Sequence, residues 1–210
     1  MRSPTASPDE QDPRLTACLE RLATGDLQAR DELLAFACER MRGIAHRMLR
    51  TFPSVRRWEE TDDVVQNAAL RLYRAIGQTV PRDARGFSGL AALQIRRELL
   101  DLAKKHAGPE SYAANHETNF RRVDGEHRAR IDEAHLASEP ADEIERWARL
   151  HTAAGELPDD ERELFHLVWY LGMQQAEASV LLGCSIRTVK RRWESAKALL
   201  AHAVLGEEPS

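Results

Sequence analysis

Cysteine is scarce in this 210-residue chain. Cys18, Cys38 and Cys184 stand far apart, none in a CxxC pair, and an odd number of scattered thiols suggests neither a disulfide framework nor a cysteine zinc site. No apolar run approaches the roughly 20 residues needed to cross a bilayer. The N-terminus, with Pro4, Pro8 and Pro13 and the acids Asp9, Glu10 and Asp12, lacks the apolar core of a signal peptide. A reducing cytoplasm is the expected compartment. Strong charge of one sign is also missing. With 30 basic and 34 acidic residues the formal net charge is −4, so the chain is not a basic nucleic-acid coat. Any DNA binding must come from local clusters of cations. No stretch alternates as a strand does, and no internal repeat is found. There is no HExxH among the eight histidines, and His106, His116, His127, His135 and His151 show no ligand pairing at one helical turn. A metal-dependent hydrolase therefore has little support, and no catalytic residue, metal or cofactor is expected.

What is present is helical periodicity. Residues 1–13 read as a disordered start. From Arg14 a first stripe of Leu15, Cys18, Leu19 and Leu22 ends at Gly25. Asp26 can cap a second helix, carrying Leu27, Leu33, Leu34, Ala37, Met41, Ile44, Ala45 and Met48, before Pro53 and a basic loop at Arg56, Arg57 and Trp58. Thr61 opens a third helix with Val64, Val65, Ala68, Leu72 and Ile76 inward and Gly77 at its end. A loop from Gln78 to Gly86 leads to a fourth, from about Phe87 to His106. Residues 108–140 are polar and aperiodic and read as a linker. Helicity resumes at Ala141 and again at Pro158–Asp159, and a polar tail occupies 205–210. The expected fold is all-α: two small helical domains, 14–107 and 141–204, joined by a flexible linker.

The most informative stretch is QQAEASVLLGCSIRTVKRRWESAKALL, Gln174–Leu200. Gly183 suits a chain leaving a helix with positive φ, and Ser185 is a good N-cap for the next helix. In that helix Ile186, Val189, Trp193, Ala196 and Leu200 form an apolar stripe, and Arg187, Thr188, Lys190 and Arg191 lie opposite with Arg192 on the flank. Small Ser179 would let the two helices cross closely. This is the pattern of a helix-turn-helix whose second helix enters the major groove. An ordinary helical hairpin with a solvated basic face is the plainer alternative.

Three segments in order then resemble one family. TDDVVQNAALRLYRAI looks like the second conserved region of bacterial sigma factors, FSGLAALQIRRELLDLAKK the following helix that reads the minus-ten element, and LPDDERELFHLVWYLGMQQAEASVLLGCSIRTVKRRWESAKALL the C-terminal domain that reads the minus-thirty-five element. The layout is similar to the small extracytoplasmic-function (ECF, group IV) type. One departure is the fourth helix, where Leu90 stands about where a tryptophan is common.

The resemblance implies core RNA polymerase and promoter DNA as partners, with an anti-sigma factor as a further one, and no covalent chemistry. Asp62, Asp63, Gln66, Asn67 and Arg71 would form the polymerase-docking face. Arg82, Arg85, Arg96, Arg97, Lys104 and Lys105 would serve the minus-ten region, with Arg82 and Arg85 in the loop before the fourth helix. Ser185, Arg187, Thr188, Lys190, Arg191 and Arg192 would serve the recognition helix. The competing reading in the same broad class is a stand-alone helix-turn-helix regulator that never joins polymerase.

Overall fold

The computed structural model describes residues 13–51, 61–107 and 140–205. The N-terminal stretch before Pro13, the basic loop at Arg56–Trp58, the polar linker across 108–139 and the tail after 205 lie outside the described residues. Every element described is helical: α1 (Pro13–Ala23), α2 (Leu27–Thr51), α3 (Thr61–Gln78), α4 (Ala84–Ala107), α5 (Pro140–Glu156), α6 (Asp159–Phe165) running on into a π turn (His166–Tyr170), α7 (Gln175–Leu181) and α8 (Ile186–Leu205).

Local chemistry sets the boundaries. Pro13 stands at the first helical position of α1, where a missing N–H costs nothing. Gly25, at φ 91°, turns the chain. Asp26 then accepts from the Gln28 amide at 2.8 Å, capping α2, while its other oxygen holds Arg21 at 2.8 Å. Gly43 lies inside α2 without breaking it. Leu27, expected to face inward, is 72% exposed. It precedes the buried Ala29 by two residues, about 200° round a helix of 3.6 residues per turn, so it points away from the core.

α3 buries the five apolar residues expected of it, but Gly77 lies within the helix, which ends at Gln78. α4 begins a turn earlier than its apolar pattern suggests. The Asp83 carboxylate accepts from the Gly86 amide at 2.7 Å and caps the helix there. Arg85 therefore stands in the first turn of α4 and not in the preceding loop. Further along, Gly172 (φ 64°) separates the π turn from α7, and Gly183 (φ 63°) separates α7 from α8. Ser185 accepts from the Thr188 amide at 3.1 Å, and the Glu177 carboxylate accepts from the Gln174 amide at 2.7 Å, so both helices of that pair start on side-chain caps.

α4 occupies the centre. It packs on α3 along one side and on α5 along another, and it also meets the π turn. Phe87, Ala91, Ala92, Ile95, Leu99, Leu102 and Ala103 are buried, and so are the polar Ser88, Gln94 and Glu98. A helix buried on most of its circumference must have neighbours on several sides. The sequence reading separates 14–107 from 141–204; in the structure the buried residues of both halves form one continuous cluster. Ile44 of α2 reaches Gly172, where an added Cβ would come within 3.0 Å of its terminal methyl.

Within the C-terminal half, Phe165 is the aromatic hub. It stacks on Trp169 (centroids 5.3 Å apart) and on Trp193 of α8 (5.6 Å), and meets Tyr170 edge-on at 5.9 Å. Val189, Ala196 and Leu200 complete the buried side of α8, while Ile186, placed on the same stripe by sequence, is 42% exposed at the helix start. Truncating Phe165 removes the ring that joins the π turn to α8. Phe165→Ala is expected to cost about 3–5 kcal/mol of unfolding free energy in urea titration; a loss below about 1 kcal/mol would mean that the stack is not a unit of the core.

Candidate polymerase and nucleic-acid interfaces

On α3, Asp62, Asp63, Gln66 and Asn67 are exposed. Asp62 is paired with Arg42 of α2 at 3.2 Å. Asn67 and Arg71 turn toward α4: the Asn67 amide donates to Glu98 at 3.0 Å, and Arg71 donates to Glu98 at 2.9 Å and to Asp101 at 2.6 Å. Glu98 is buried, so these donors satisfy a carboxylate that would otherwise be costly to enclose. Two residues that sequence reasoning passed over share the open side of α3. Leu70 and Tyr73 are 48% and 41% exposed and continue the line of Asp63 and Gln66 at helical spacing. Arg30 of α2 lies over the Tyr73 ring, 3.4 Å from its centre, and donates to the Tyr73 carbonyl.

On α8, Arg187, Lys190 and Arg191 are exposed along one face. Thr188 is held at the helix start, its hydroxyl 2.9 Å from that of Ser185. Arg192 lies apart from the three, paired with Asp160 of α6. Glu194 pairs with Lys197 at 2.8 Å along the same helix. Trp193 packs against the core through Phe165.

The cations around α4 divide into two groups. Arg82, Arg97, Lys104 and Lys105 are exposed. Arg85 and Arg96 are drawn to the C-terminal half instead. Arg85 donates from Nε and Nη2 to the two oxygens of the Glu163 carboxylate, each at 2.6 Å, and this pairing raises the Arg85 pKa. Arg96 donates to the backbone carbonyls of His151 (2.9 Å) and Thr152 (3.4 Å) near the end of α5. Arg40 of α2 adds a longer pair with Glu177 of α7 at 3.4 Å. Behind Arg96 lies a buried polar cluster in which His151 Nδ1 and the Tyr170 hydroxyl share a hydrogen bond of 2.8 Å. Burial, helped by the Arg96 charge, lowers His151 to about 3 and His166 to about 4, and burial pushes Tyr170 up. The Arg96 guanidinium also fills the place a Cβ would take at Gly155, and neither that glycine nor a histidine on an apolar face carries any periodic mark of the arginine that meets it.

Among the described residues no cluster of His, Cys, Asp or Glu could hold a metal, and no helix is long and apolar enough to cross a membrane. The family model for ECF sigma factors matches residues 13–205, nearly the whole chain, and the chain belongs to that family. The RNA polymerase sigma-H factor of Pseudomonas aeruginosa is similar to it, 27% identical over 191 residues, covering 87% of this chain and 88% of that protein. A solved structure, that of CnrH in complex with the cytosolic domain of CnrY, aligns with 93% of this chain and 99% of its own at 20% identity, with a TM-score of 0.35. The protein is thus a sigma factor, a subunit that binds core RNA polymerase, recognises promoter DNA and promotes initiation. The reading as a regulator independent of polymerase is not favoured.

The histidine cluster has a consequence for stability. Below pH 6.5 an unfolded chain protonates both imidazoles while the folded one, with values near 3 and 4, keeps them neutral. The unfolded state then holds more protons, so stability falls as pH falls from about 6.5 toward 4, by roughly 1.4 kcal/mol per pH unit for each histidine. His151→Gln should flatten that dependence by about one proton in urea titrations between pH 6.5 and 5. An unaltered slope would show that His151 is not kept neutral by folding.

Proposed function

We propose that this sigma factor docks on core polymerase through the exposed face of α3, reads a minus-thirty-five element with α8, and contacts the minus-ten element with α4 and the loop before it. In this assignment 14–107 is the polymerase and minus-ten module and 141–204 the helix-turn-helix module. The protein acts in the cytoplasm without covalent chemistry of its own. The observation that carries the reading is the exposed triplet Arg187, Lys190 and Arg191 on a helix capped by Ser185 and anchored from behind by Trp193. Cations at positions i, i+3 and i+4 on a rigid helix can enter a groove together, and an arginine can bridge O6 and N7 of guanine. Arg192, tied to Asp160, fits a backbone-positioning role better than base reading.

The α3 face has a different character. Asp63 and Gln66 offer directional acceptors and donors, and Leu70 and Tyr73 offer apolar area beside them. Such a mixture of anchors and polar rim suits a protein partner. Asn67 and Arg71 support that face by holding α3 to α4.

Transcription reconstituted with core polymerase, followed by mapping of start sites, tests the whole assignment. On a promoter so defined, Arg191→Ala should lose about 1–3 kcal/mol of promoter binding while core binding is retained; undiminished promoter affinity at moderate salt would remove Arg191 from the groove. Asp63→Arg combined with Gln66→Ala should raise the dissociation constant for core polymerase, measured by titration of labelled protein, and leave thermal stability near the parent value. An unchanged constant would move the docking face elsewhere.

A further inference from the structure

Two departures from ordinary helix chemistry meet at the exposed ring of Tyr73. The first is Gly77, which sits within α3 without the positive φ that accounts for Gly25, Gly172 and Gly183. Its reason is space: an added Cβ would stand 2.7 Å from Nη2 of Arg30. The second is Arg30 itself, whose Nε is buried and has no hydrogen-bond partner among the described residues. Nor does a carboxylate pair with it there, whereas Arg21, Arg42 and Arg71 all meet acids. What holds the guanidinium is the Tyr73 carbonyl, to which Nη2 donates, and the Tyr73 ring, whose centre lies 3.4 Å from Cζ. That is well inside the roughly 6 Å over which a cation is drawn to an aromatic face. We infer that Arg30 is a positioning residue for polymerase docking: seated in the space left by Gly77, it fixes the Tyr73 ring on the open face of α3 before the partner arrives.

The inference rests on the assignment of the α3 face to core polymerase. Local rules are commonly broken where function requires it. Glycine costs helix stability relative to alanine, and a buried donor without an acceptor is costly as well. A contact that served packing alone would be better made with alanine at 77 and an apolar side chain at 30. Tyr73 is 41% exposed, and its hydroxyl has no partner among the described residues. Arg30 thus occupies one face of the ring while much of the rest stays open, on the same side of the helix as Leu70. Tyrosine and arginine are enriched among the anchors of protein interfaces, and an anchor fixed beforehand loses less freedom on binding. Holding one such side chain in place in advance is worth about 2- to 10-fold in affinity.

The test titrates the labelled full chain with core polymerase and follows the unfolding of each variant in urea. Arg30→Ala removes the guanidinium. Gly77→Ala displaces it while giving α3 a better helix former. Both are expected to raise the dissociation constant about 2- to 10-fold. Tyr73→Ala should raise it further, and adding Arg30→Ala to Tyr73→Ala should change nothing more, because Arg30 acts through the ring. In fluorine NMR spectra of protein carrying fluorotyrosine, the Tyr73 resonance, identified by its loss in Tyr73→Phe, should shift in Arg30→Ala and in Gly77→Ala. Weaker binding with stability retained in Gly77→Ala supports the inference. Weaker binding confined to variants that also lose stability overturns it in favour of a structural role. Additive losses in the double variant overturn it too, since Arg30 would then act independently of the ring. Unchanged constants in Arg30→Ala and Gly77→Ala, where Tyr73→Ala binds more weakly, defeat the positioning and leave the docking assignment standing. An unchanged constant in Tyr73→Ala takes the ring out of the docking face and defeats the inference. If Asp63→Arg combined with Gln66→Ala is equally silent, the assignment of the face falls with it.

Discussion

The burial of α4 governs the rest of the structure. A helix expected to show a cationic side to DNA is enclosed along much of its length, with α3 on one side and α5 and the π turn on others. Its small residues, Ala91, Ala92 and Ala103, allow close approach from more than one direction, and Ile95 and Leu99 supply the bulk between them. Enclosing such a helix also encloses polar groups, which must find partners or be costly. Glu98 is satisfied by Asn67 and Arg71, and Arg96 by the α5 carbonyls. The polar contacts that hold the halves together are thus consequences of where α4 sits.

Charge is distributed accordingly. The overall balance is slightly acidic, yet the candidate DNA faces are cationic because their counter-charges lie elsewhere or are withheld. On α8 the three exposed cations have no carboxylate bonded to them among the described residues, whereas Arg192 is drawn to Asp160 at its flank. On α4 the order differs. Arg97 and Lys104 face outward, but Arg85 and Arg96 are held by groups from the C-terminal half. Single arginines therefore differ in role according to whether a neighbouring helix supplies an acceptor, a property of the fold and not of local composition.

That distinction marks what could be read in advance. Helix existence followed from apolar spacing and caps: Asp26, Ser185, Gly25 and Gly183 stand where their backbone conformations or bonds require them. The exposed triplet on α8 was legible for the same reason, since it depends only on the phase of one helix. The first turn of α4 was not, because Arg85 and Gly86 look like loop residues until Asp83 is seen capping them. Nor was the π turn, where a wider hydrogen-bond spacing seats Tyr170 against His151, 19 residues away in sequence. The largest gap concerns Arg96, Gly155, Glu163 and Glu177. Their contacts span 55 residues or more, and no short-range period encodes them.

The two candidate DNA surfaces differ in what they expose. Reading a groove acts on intact duplex and needs a rigid helix with its cations exposed together, as Arg187, Lys190 and Arg191 are on α8. Work at a minus-ten element includes unstacking bases, at a cost of a few kcal/mol for each, and must be offset by contacts to the separated strand. A surface with two of its arginines committed elsewhere offers fewer such contacts.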